Sequence, residues 1–300
     1  MKINYKNFPL YKKIRIPVKE FVMKLDRIKN KRIGIREAPS INDEVIRMIE
    51  EELKHNPDIE SIRTIKVDRE EYDEWESRLG FQEFYDKRNN PRYVSKILQY
   101  MLAFKILELE GKDKNFKYID AASANSPWAI WLREQYGIMT WSVDLEKPTY
   151  KKDYYLQDDI TKMPFDDESI DAISMQSSLE TFPGDVDIRF MKEAGRVLRE
   201  GGKLLITPLY LSVEYANCFG KKYYQGSEAE KGAHKYIRLG YSGETTRLYD
   251  VEHLIERLLI TGKESKLRHT ILIFDTDKVL VDKWDKYIYL HFGLLFYKDK

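Results

Sequence analysis

The sequence predicts an α/β protein with a doubly wound, mostly parallel sheet and an antiparallel terminal strand, plus an N-terminal α+β extension. Between residues 116 and 208, short apolar segments alternate with helical patterns, which is typical of βαβ units in a parallel sheet. Near the end, residues 268–275 and 287–297 form two long strand-like segments. Their connection is too short for much of a helix, which favours an antiparallel pair.

The composition is that of a soluble globular protein with a substantial core, because 42% of the 300 residues are hydrophobic and 34% are charged. Cys218 is the only cysteine, so no intramolecular disulfide can form, and five scattered histidines give no zinc-type spacing. We therefore expect no metal. No signal peptide and no apolar run long enough for a membrane span is visible, which predicts a cytoplasmic protein.

The near-neutral net charge conceals two opposed segments. Residues 1–36 carry a net charge of +10, whereas residues 37–86 carry −10. A basic arm is typical of proteins that bind nucleic acid or an anionic membrane surface. The alternative, which we favour because the two charges cancel within one stretch of chain, is that the arm lies against the acidic segment.

The chain is predicted to divide near residue 90. Residues 1–90 form an extension that serves as a lid, an interface or a partner module, and residues 91–300 form the main domain. In the extension, an N-cap at Ser40 or Asn42 opens a helix that ends before Pro57. A strand over residues 62–67 and a helix over residues 68–79 follow it.

The predicted elements of the main domain follow a regular order. A helix over residues 92–110 leads into a strand at 116–121, and Ser126 with Pro127 opens the next helix, which stops at Gly137. Strands follow at residues 139–144, 154–157, 172–175 and 203–208, with helices at 186–199 and 251–259.

The candidate site lies where these strands end, because ligands of doubly wound sheets bind beyond the carboxyl ends of the strands. The first strand ends at Asp120, and the small-residue turn after it lets a ligand approach the backbone near a helix N-terminus. Asp144 ends the next strand, 24 residues on, where a carboxylate would accept hydrogen bonds from a ribose diol. After the third strand, Asp159 could take an adenine amino group while Ile160 packs on the ring.

Four segments, residues 116–126, 142–146, 159–171 and 193–207, together resemble the class I S-adenosylmethionine-dependent methyltransferases. The resemblance extends over roughly residues 92–300. Its strongest pieces are Asp-Ile-Thr-Lys-Met-Pro-Phe-Asp-Asp-Glu-Ser-Ile-Asp (159–171) and Arg-Val-Leu-Arg-Glu-Gly-Gly-Lys (196–203). It implies a Rossmann-like fold with S-adenosyl-L-methionine as cofactor. The implied cofactor-binding residues are Asp120, Ala122, Ser123, Ala124 and Ser126 for the amino-acid end, Asp144 for the ribose, Asp159 and Ile160 for the adenine, and Gln176 at the fourth strand end.

One departure concerns the turn, which in the family usually reads Asp-x-Gly-x-Gly-x-Gly. Here Ala122, Ala124 and Ser126 occupy the glycine places. An alanine costs on the order of 1–2 kcal/mol if its backbone is left-handed, and little if its φ is negative. The turn is therefore either a functional variant, which we favour, or part of a scaffold that has lost its cofactor. The Ala-Ser-x-x-Ser-Pro wording also resembles a subset of the class that modifies sugars or polysaccharide precursors.

The residues that act on the acceptor are less clearly marked. A hydroxyl acceptor benefits from a general base, for which Glu180 and His234 are candidates. The alternatives are that Glu180 caps a helix or faces water and that His234 is an ordinary surface histidine. Residues 210–249 are predicted as a long loop in which Tyr241 and Arg247 bind the acceptor. Equally, the loop's tyrosines form a packing layer and Arg247 braces the following helix.

Methyl transfer to a small-molecule or glycan acceptor is thus the predicted function. A catalytically inactive, methyltransferase-like scaffold is the main alternative. A nicotinamide-dependent oxidoreductase is disfavoured because Gly-x-Gly-x-x-Gly is absent while Asp144 and Asp159 are in place. A nucleic-acid acceptor is disfavoured because residues 175–178 read Met-Gln-Ser-Ser instead of Asn/Asp-Pro-Pro-Tyr.

Overall fold

A computed structural model describes residues 9–32, 34–39, 41–88, 90, 92–148, 153–276 and 290–299. Contacts divide the chain into two compact units. The larger unit comprises Asp43–Val213 and Tyr249–Lys300, and the smaller unit comprises Met1–Asn42 and Glu214–Leu248. The predicted boundary at residue 90 does not coincide with this division, and a lid or partner role for residues 1–90 stays a prediction.

The helices and strands follow in chain order. The first half contains α1 (Pro9–Arg32), α2 (Asp43–His55), β1 (Ile62–Lys66), α3 (Arg69–Leu79), α4 (Tyr93–Ile106), β2 (Lys117–Ala121), α5 (Trp128–Tyr136), β3 (Met139–Asp144) and β4 (Tyr155–Gln157). The second half contains β5 (Ile170–Gln176), α6 (Val186–Val197), β6 (Leu198–Thr207), β7 (Ala216–Gly220), β8 (His234–Arg238), β9 (Thr245–Leu248), α7 (Val251–Leu254), α8 (Ile260–Glu264), β10 (Leu267–Asp275) and β11 (Phe292–Lys298). A five-residue π-helical turn, Ile255–Leu259, joins α7 to α8.

The larger unit contains an eight-stranded sheet in the order β1-β10-β11-β6-β5-β2-β3-β4. Within it, β11 is antiparallel to both neighbours, whereas all other adjacent strands run parallel. This topology confirms the Rossmann-like, mostly parallel sheet and the antiparallel terminal strand. The last strand was expected to begin at residue 287, but residues 287–289 lie outside the described residues.

The stretch from residue 43 to residue 88 belongs to the larger unit and contributes to the core of its sheet. β1 is the outermost strand of the large sheet and pairs with β10, with Ile62 opposite Ile271. The ring of Trp75 on α3 packs 4.9 Å from Phe104 on α4 and 6.3 Å from Trp131 on α5, measured between centroids. Because α3 buries its aromatic face here, residues 43–90 stay with the larger unit.

The expected loop over residues 210–249 is wrong. It contains a three-stranded sheet in the order β8-β7-β9, in which β7 is parallel to β8 and antiparallel to β9. Each strand is only four or five residues long, and turns rich in glycine and charge separate them, which hid the alternation. The sheet also takes up the N-terminal segment, because Ile237 of β8 donates its amide to Arg36 and accepts from Ala38.

Two observations on the described residues concern metal binding and membrane crossing. No group of three or more histidine, cysteine, aspartate or glutamate residues in the described ranges is arranged to hold a metal ion. None of the helices in that part of the chain is long and apolar enough to cross a membrane.

Close packing of α6 on the segment after α8 predicts a strong effect of one methyl group. A Cβ added at Gly195 would lie 2.5 Å from Ser265 Cβ and 2.8 Å from Ser265 O. We expect Gly195→Ala to lower the free energy of unfolding by about 1–3 kcal/mol, because backbone must shift to admit the methyl. Urea denaturation measures this. Gly226→Ala, which adds a methyl into open space, is the control; equal stability of both variants would contradict the packing.

Candidate functional site

The carboxyl ends of four neighbouring strands form one edge of the large sheet. Asp120 lies opposite Ser142 in the β2–β3 pair, and Asp144, the last residue of β3, lies opposite Gln157 of β4. On the other side of β2, Gln176 ends β5 opposite Thr207. The structure therefore places Asp120, Asp144 and Gln176 at the same sheet edge, as the strand pattern predicts.

The turn after β2 keeps a left-handed backbone without glycine. Ala122 has a φ of +50° and Ala124 a φ of +48°. The Ala122 amide donates to Val143 O at 2.8 Å, and the Ala124 amide donates to Asp144 Oδ2 at 2.6 Å. Of the two outcomes open from the sequence, the costly one holds, because both alanines occupy the conformation that favours glycine.

Asp144 joins the turn to the end of β3. Its Oδ2 accepts the Ala124 amide, and its Oδ1 accepts the Glu146 amide at 2.7 Å. A carboxylate has about four acceptor positions, so each oxygen retains capacity for a further donor. The half-buried side chain is thus fixed in orientation and still able to bind hydroxyl groups.

Asp120 is buried, with 1% of its surface exposed. Burial raises its pKa to about 7, which the positive charge of Lys96 and the hydroxyls of Ser126 and Ser174 oppose. Among the described residues, Asp120 Oδ2 and the buried Ser123 Oγ have no hydrogen-bond partner. Such unmade hydrogen bonds cost free energy, so both atoms are suited to a ligand that donates to them.

Lys96 of α4 is a site residue that the sequence analysis missed. Its Nζ donates to the main-chain oxygen of Gln176 at 3.3 Å. Burial lowers the pKa of Lys96, while the charges of Glu180 and Asp120 act in the opposite direction. A lysine within an otherwise mostly buried helix is visible in the sequence, but the two acids that act on Lys96 come from later in the chain.

Hydroxyl groups of two tyrosines contact the last residue of the turn after β2. The Tyr100 hydroxyl lies 3.0 Å from Ser126 Oγ and also contacts the Tyr85 hydroxyl. Ser126 Oγ in turn accepts the Trp128 amide at 3.1 Å. The helix begins at Trp128 with Pro127 at the N-cap position, one residue later than predicted. The start of α5 and the end of the turn are therefore held by the same serine.

Asp159 and Ile160 follow β4 in a tight turn. Asp159 Oδ1 accepts the Thr161 amide at 2.8 Å, so one carboxylate oxygen is used to shape the turn. Ile160 is buried, which leaves only a small part of its surface for an adenine ring. Contacts of this pair with adenine stay a prediction.

The two candidate bases fall in different units. Glu180 lies in a 3₁₀ turn, Leu179–Thr181, just after β5, and it is buried, so the alternative that it faces water is wrong. Its charge acts on Lys96. His234 begins β8 in the smaller unit and is exposed, with its ring 6.1 Å from that of Tyr236. A catalytic role for either stays a prediction.

The two predicted acceptor-binding residues are held by contacts within the smaller unit. Arg247 is 0% exposed, and its guanidinium forms an ion pair with Glu230, with Nε 3.0 Å from Oε2. The ion pair links Arg247 to Glu230 within this unit. A contact of Arg247 with the acceptor stays a prediction. Tyr241 is half-buried and donates its hydroxyl to Thr245 O at 3.0 Å.

Comparison with known proteins gives one family. Residues 119–206, from β2 to β6, match the family model described as a methyltransferase domain. This segment contains Asp120, Asp144 and Asp159. No curated protein sequence matches the chain significantly.

Similar solved structures are remote. Geranyl diphosphate C-methyltransferase from Streptomyces coelicolor A3(2), solved with Mg²⁺, geranyl diphosphate and S-adenosyl-L-homocysteine, is 11% identical with a TM-score of 0.42, covering 69% of this chain and 79% of that chain. The 1,6-didemethyltoxoflavin-N1-methyltransferase of Burkholderia thailandensis, solved with S-adenosylhomocysteine, is 12% identical with a TM-score of 0.46, covering 80% and 94%. A putative methyltransferase complexed with the Trm112 activator of Haloferax volcanii is 14% identical with a TM-score of 0.44, covering 78% and 98%.

The left-handed turn predicts that glycine is the better residue at both alanine positions. We expect Ala122→Gly and Ala124→Gly each to raise the free energy of unfolding by about 0.5–1 kcal/mol, since relief of strain exceeds the entropy gained by the unfolded chain. Ala121→Gly, in β2 just before the turn, is the matched control and should destabilise. Chemical denaturation of the three variants gives the sign of each change in the free energy of unfolding. A loss of stability on substitution at position 122 or 124 would contradict backbone strain at these alanines.

The raised pKa of Asp120 predicts a pH-dependent stability. Between about pH 4 and pH 7 the folded protein binds a proton at Asp120 that the unfolded chain does not, so this group's contribution to stability falls as pH rises. The free energy of unfolding of Asp120→Asn, relative to that of the natural chain, should therefore increase across this window and level off above about pH 7. Chemical denaturation at several pH values measures it, with Asp166→Asn at an exposed position as control. A difference in the free energy of unfolding that does not change with pH would contradict the raised pKa of Asp120.

Proposed function

We propose, from the premise that residues 119–206 form a methyltransferase domain whose cofactor is S-adenosyl-L-methionine, that this chain methylates a small-molecule or glycan-type acceptor. The observation that carries the proposal is the sheet edge itself. There, the strand-end carboxylates Asp120 and Asp144 flank a turn whose backbone retains the glycine-type conformation at Ala122 and Ala124.

The residues present fit the cofactor. Asp144 is fixed by two backbone amides and keeps acceptor capacity on both oxygens, which suits a ribose diol. Asp120 Oδ2 and Ser123 Oγ are buried acceptors without a partner among the described residues, and the ammonium group of the cofactor would donate to them. Asp159 and Ile160 would hold the adenine, at the next strand end along the edge.

Binding of the ammonium group would favour the ionised form of Asp120. In the ligand-free protein this carboxyl has a pKa of about 7, so it is only partly ionised at neutral pH. A cation held against it lowers the pKa, because an opposite charge favours the carboxylate. Lys96 already acts in this direction, and it also anchors the end of β5 through the Gln176 carbonyl.

The chemistry needed from the chain is mainly alignment. The bound cofactor supplies an electrophilic methyl group, and the protein holds the acceptor in line with it and excludes water. A hydroxyl acceptor must also lose a proton. Glu180, buried after β5 in the electrostatic field of Lys96, is the candidate to receive it.

A second candidate function is a binding scaffold without catalysis. The observation that favours it is the pair of methyl groups at Ala122 and Ala124, which occupy the places of glycine hydrogens on the turn. Against it, Asp144 keeps acceptor capacity on both carboxylate oxygens, and Asp120 Oδ2 has no hydrogen-bond partner among the described residues, as a cofactor site requires.

Calorimetric titration with S-adenosyl-L-methionine and S-adenosyl-L-homocysteine tests the proposal. We expect saturable binding of both ligands, weakened more than about tenfold in Asp144→Asn, because a charged acceptor of ligand hydroxyls is lost. The control Asp166→Asn removes an exposed carboxylate of the same domain and should bind as the natural chain does. Thermal melts confirm that the variants are folded.

The possible outcomes separate the two candidate functions. Binding that depends on Asp144, followed by transfer of labelled methyl to one member of a panel of sugars and small hydroxylated acceptors, supports methyl transfer. Binding without transfer to any acceptor, with Glu180→Gln binding both ligands as the natural chain does, favours the scaffold. Absence of binding by either ligand would overturn the assignment of this sheet edge as the cofactor site.

A further inference from the structure

Helix α1 presents a stripe of large apolar side chains to solvent. Phe21, Val22, Leu25 and Ile28 are 61%, 45%, 50% and 46% exposed. At about 100° per residue, Phe21, Leu25 and Ile28 fall within about 60° of one another on the helix surface. Contiguous exposed apolar groups of this kind mark an interaction surface. The sequence keeps apolar residues at the same spacing upstream, at positions 10, 14 and 18.

The opposite face of α1 is the one that holds the helix to its own unit. Asp26 accepts from Lys221 Nζ at 2.6 and 2.7 Å, and the Asp26 and Asn30 side chains are half-buried. Asp26 and Asn30 lie about 100–180° around the helix from Phe21, Leu25 and Ile28, whereas Val22 lies nearer to them. Phe21, Leu25 and Ile28 therefore point away from the contacts that fix the helix.

Basic groups flank the stripe and are available to a partner. Lys24, Lys29, Lys31 and Arg32 are exposed, and none of them forms an ion pair with another described residue. Asp26, an acid on the same helix, is neutralised by Lys221. The surface thus combines apolar side chains with unpaired positive charge, in a segment whose first 36 residues carry a net charge of +10.

We propose that α1 binds an anionic lipid surface, lying in the interface with its apolar stripe toward the acyl chains and its lysines at the headgroup phosphates. A helix with a polar basic face and an apolar face of Phe, Leu and Ile is the form that binds this way. Anionic lipids supply both complements at once, since lipid phosphates pair with the lysines while the hydrocarbon boundary buries the stripe.

Other partners match only part of this surface. An RNA or DNA backbone would pair with the lysines but would leave Phe21, Leu25 and Ile28 in water. A second copy of α1 would bury the stripe but would bring like charges together along both flanks. An anionic membrane is the occupant whose chemistry complements both features.

Flotation of the full chain with vesicles tests the proposal. Vesicles of phosphatidylcholine alone are compared with vesicles of phosphatidylcholine and 30% phosphatidylglycerol, without cofactor, at low and high salt. We expect binding to the anionic vesicles that weakens as salt rises, because the lysine contacts are screened. Binding to neutral vesicles should be much weaker.

Two pairs of variants separate the stripe and the charge from general effects. Leu25→Glu with Ile28→Glu should lower the partition coefficient on anionic vesicles by roughly tenfold or more, while Met48→Glu with Ile260→Glu, at exposed apolar positions elsewhere, should leave it unchanged. Lys24→Glu with Lys31→Glu should lower it by roughly tenfold or more, while Lys231→Glu with Lys263→Glu, which changes net charge equally, should have a much smaller effect.

Circular dichroism and cofactor titration check that each variant is folded. Binding that requires both the stripe and the lysines establishes the surface. The proposal is overturned if stripe and control variants bind vesicles equally, or if the natural chain ignores anionic vesicles. It is equally overturned if the stripe variants instead abolish self-association seen by light scattering, or if the natural chain binds single-stranded RNA in preference to vesicles.

Discussion

The hydrogen bonds from the Ala122 and Ala124 amides to the end of β3 are the interactions on which the candidate site depends. They tie the turn after β2 to Val143 and Asp144, so the turn and the second strand-end carboxylate have one fixed relation. A glycine-rich turn reaches this path without strain, whereas alanines reach it only because neighbouring strands impose it. The parallel pairing of β2 with β3 is therefore what shapes the turn, more than the residues within it.

Several features at this sheet edge are unfavourable for the ligand-free protein. Two alanines are left-handed, Asp120 is buried with a raised pKa, and Lys96 is half-buried with a lowered pKa. Ser123 adds a buried hydroxyl without a partner among the described residues. Local rules are broken in natural proteins mostly at functional sites, where a bound ligand makes the missing interactions. A ligand that does so also stabilises the fold, because it binds the native state alone.

The order of strands and helices in the larger unit could be predicted from the sequence, because each βαβ unit carries its own signals. The strand ending at Asp144 was predicted to the residue, and Gly137 ends α5 in the left-handed conformation expected of a helix stop. The strand-end carboxylates could be placed for the same reason. A parallel sheet gathers its carboxyl ends at one edge, so a linear pattern fixes a three-dimensional one.

What the sequence concealed depends on contacts between distant segments. The smaller unit combines residues 1–42 with residues 214–248, so no local sequence pattern predicts it. Its four- and five-residue strands also show little alternation of apolar and polar residues. The ion pair of Arg247 is an example, because its partner Glu230 lies seventeen residues earlier and no local pattern links the two residues. Lys96 was missed because its neighbours at the strand ends come from later in the chain.

The division into two units also separates the two activities that the chain is proposed to have. All predicted cofactor-binding residues belong to the larger unit, whereas α1 belongs to the smaller one. The smaller unit is an insertion between β6 and α7, and it takes up the N-terminal segment through the backbone of Arg36 and Ala38 on β8. Contacts within each unit fix its own residues, so changes on the exposed stripe of α1 should leave the turn after β2 intact. Loss of surface binding and loss of cofactor binding are therefore separable effects in this chain.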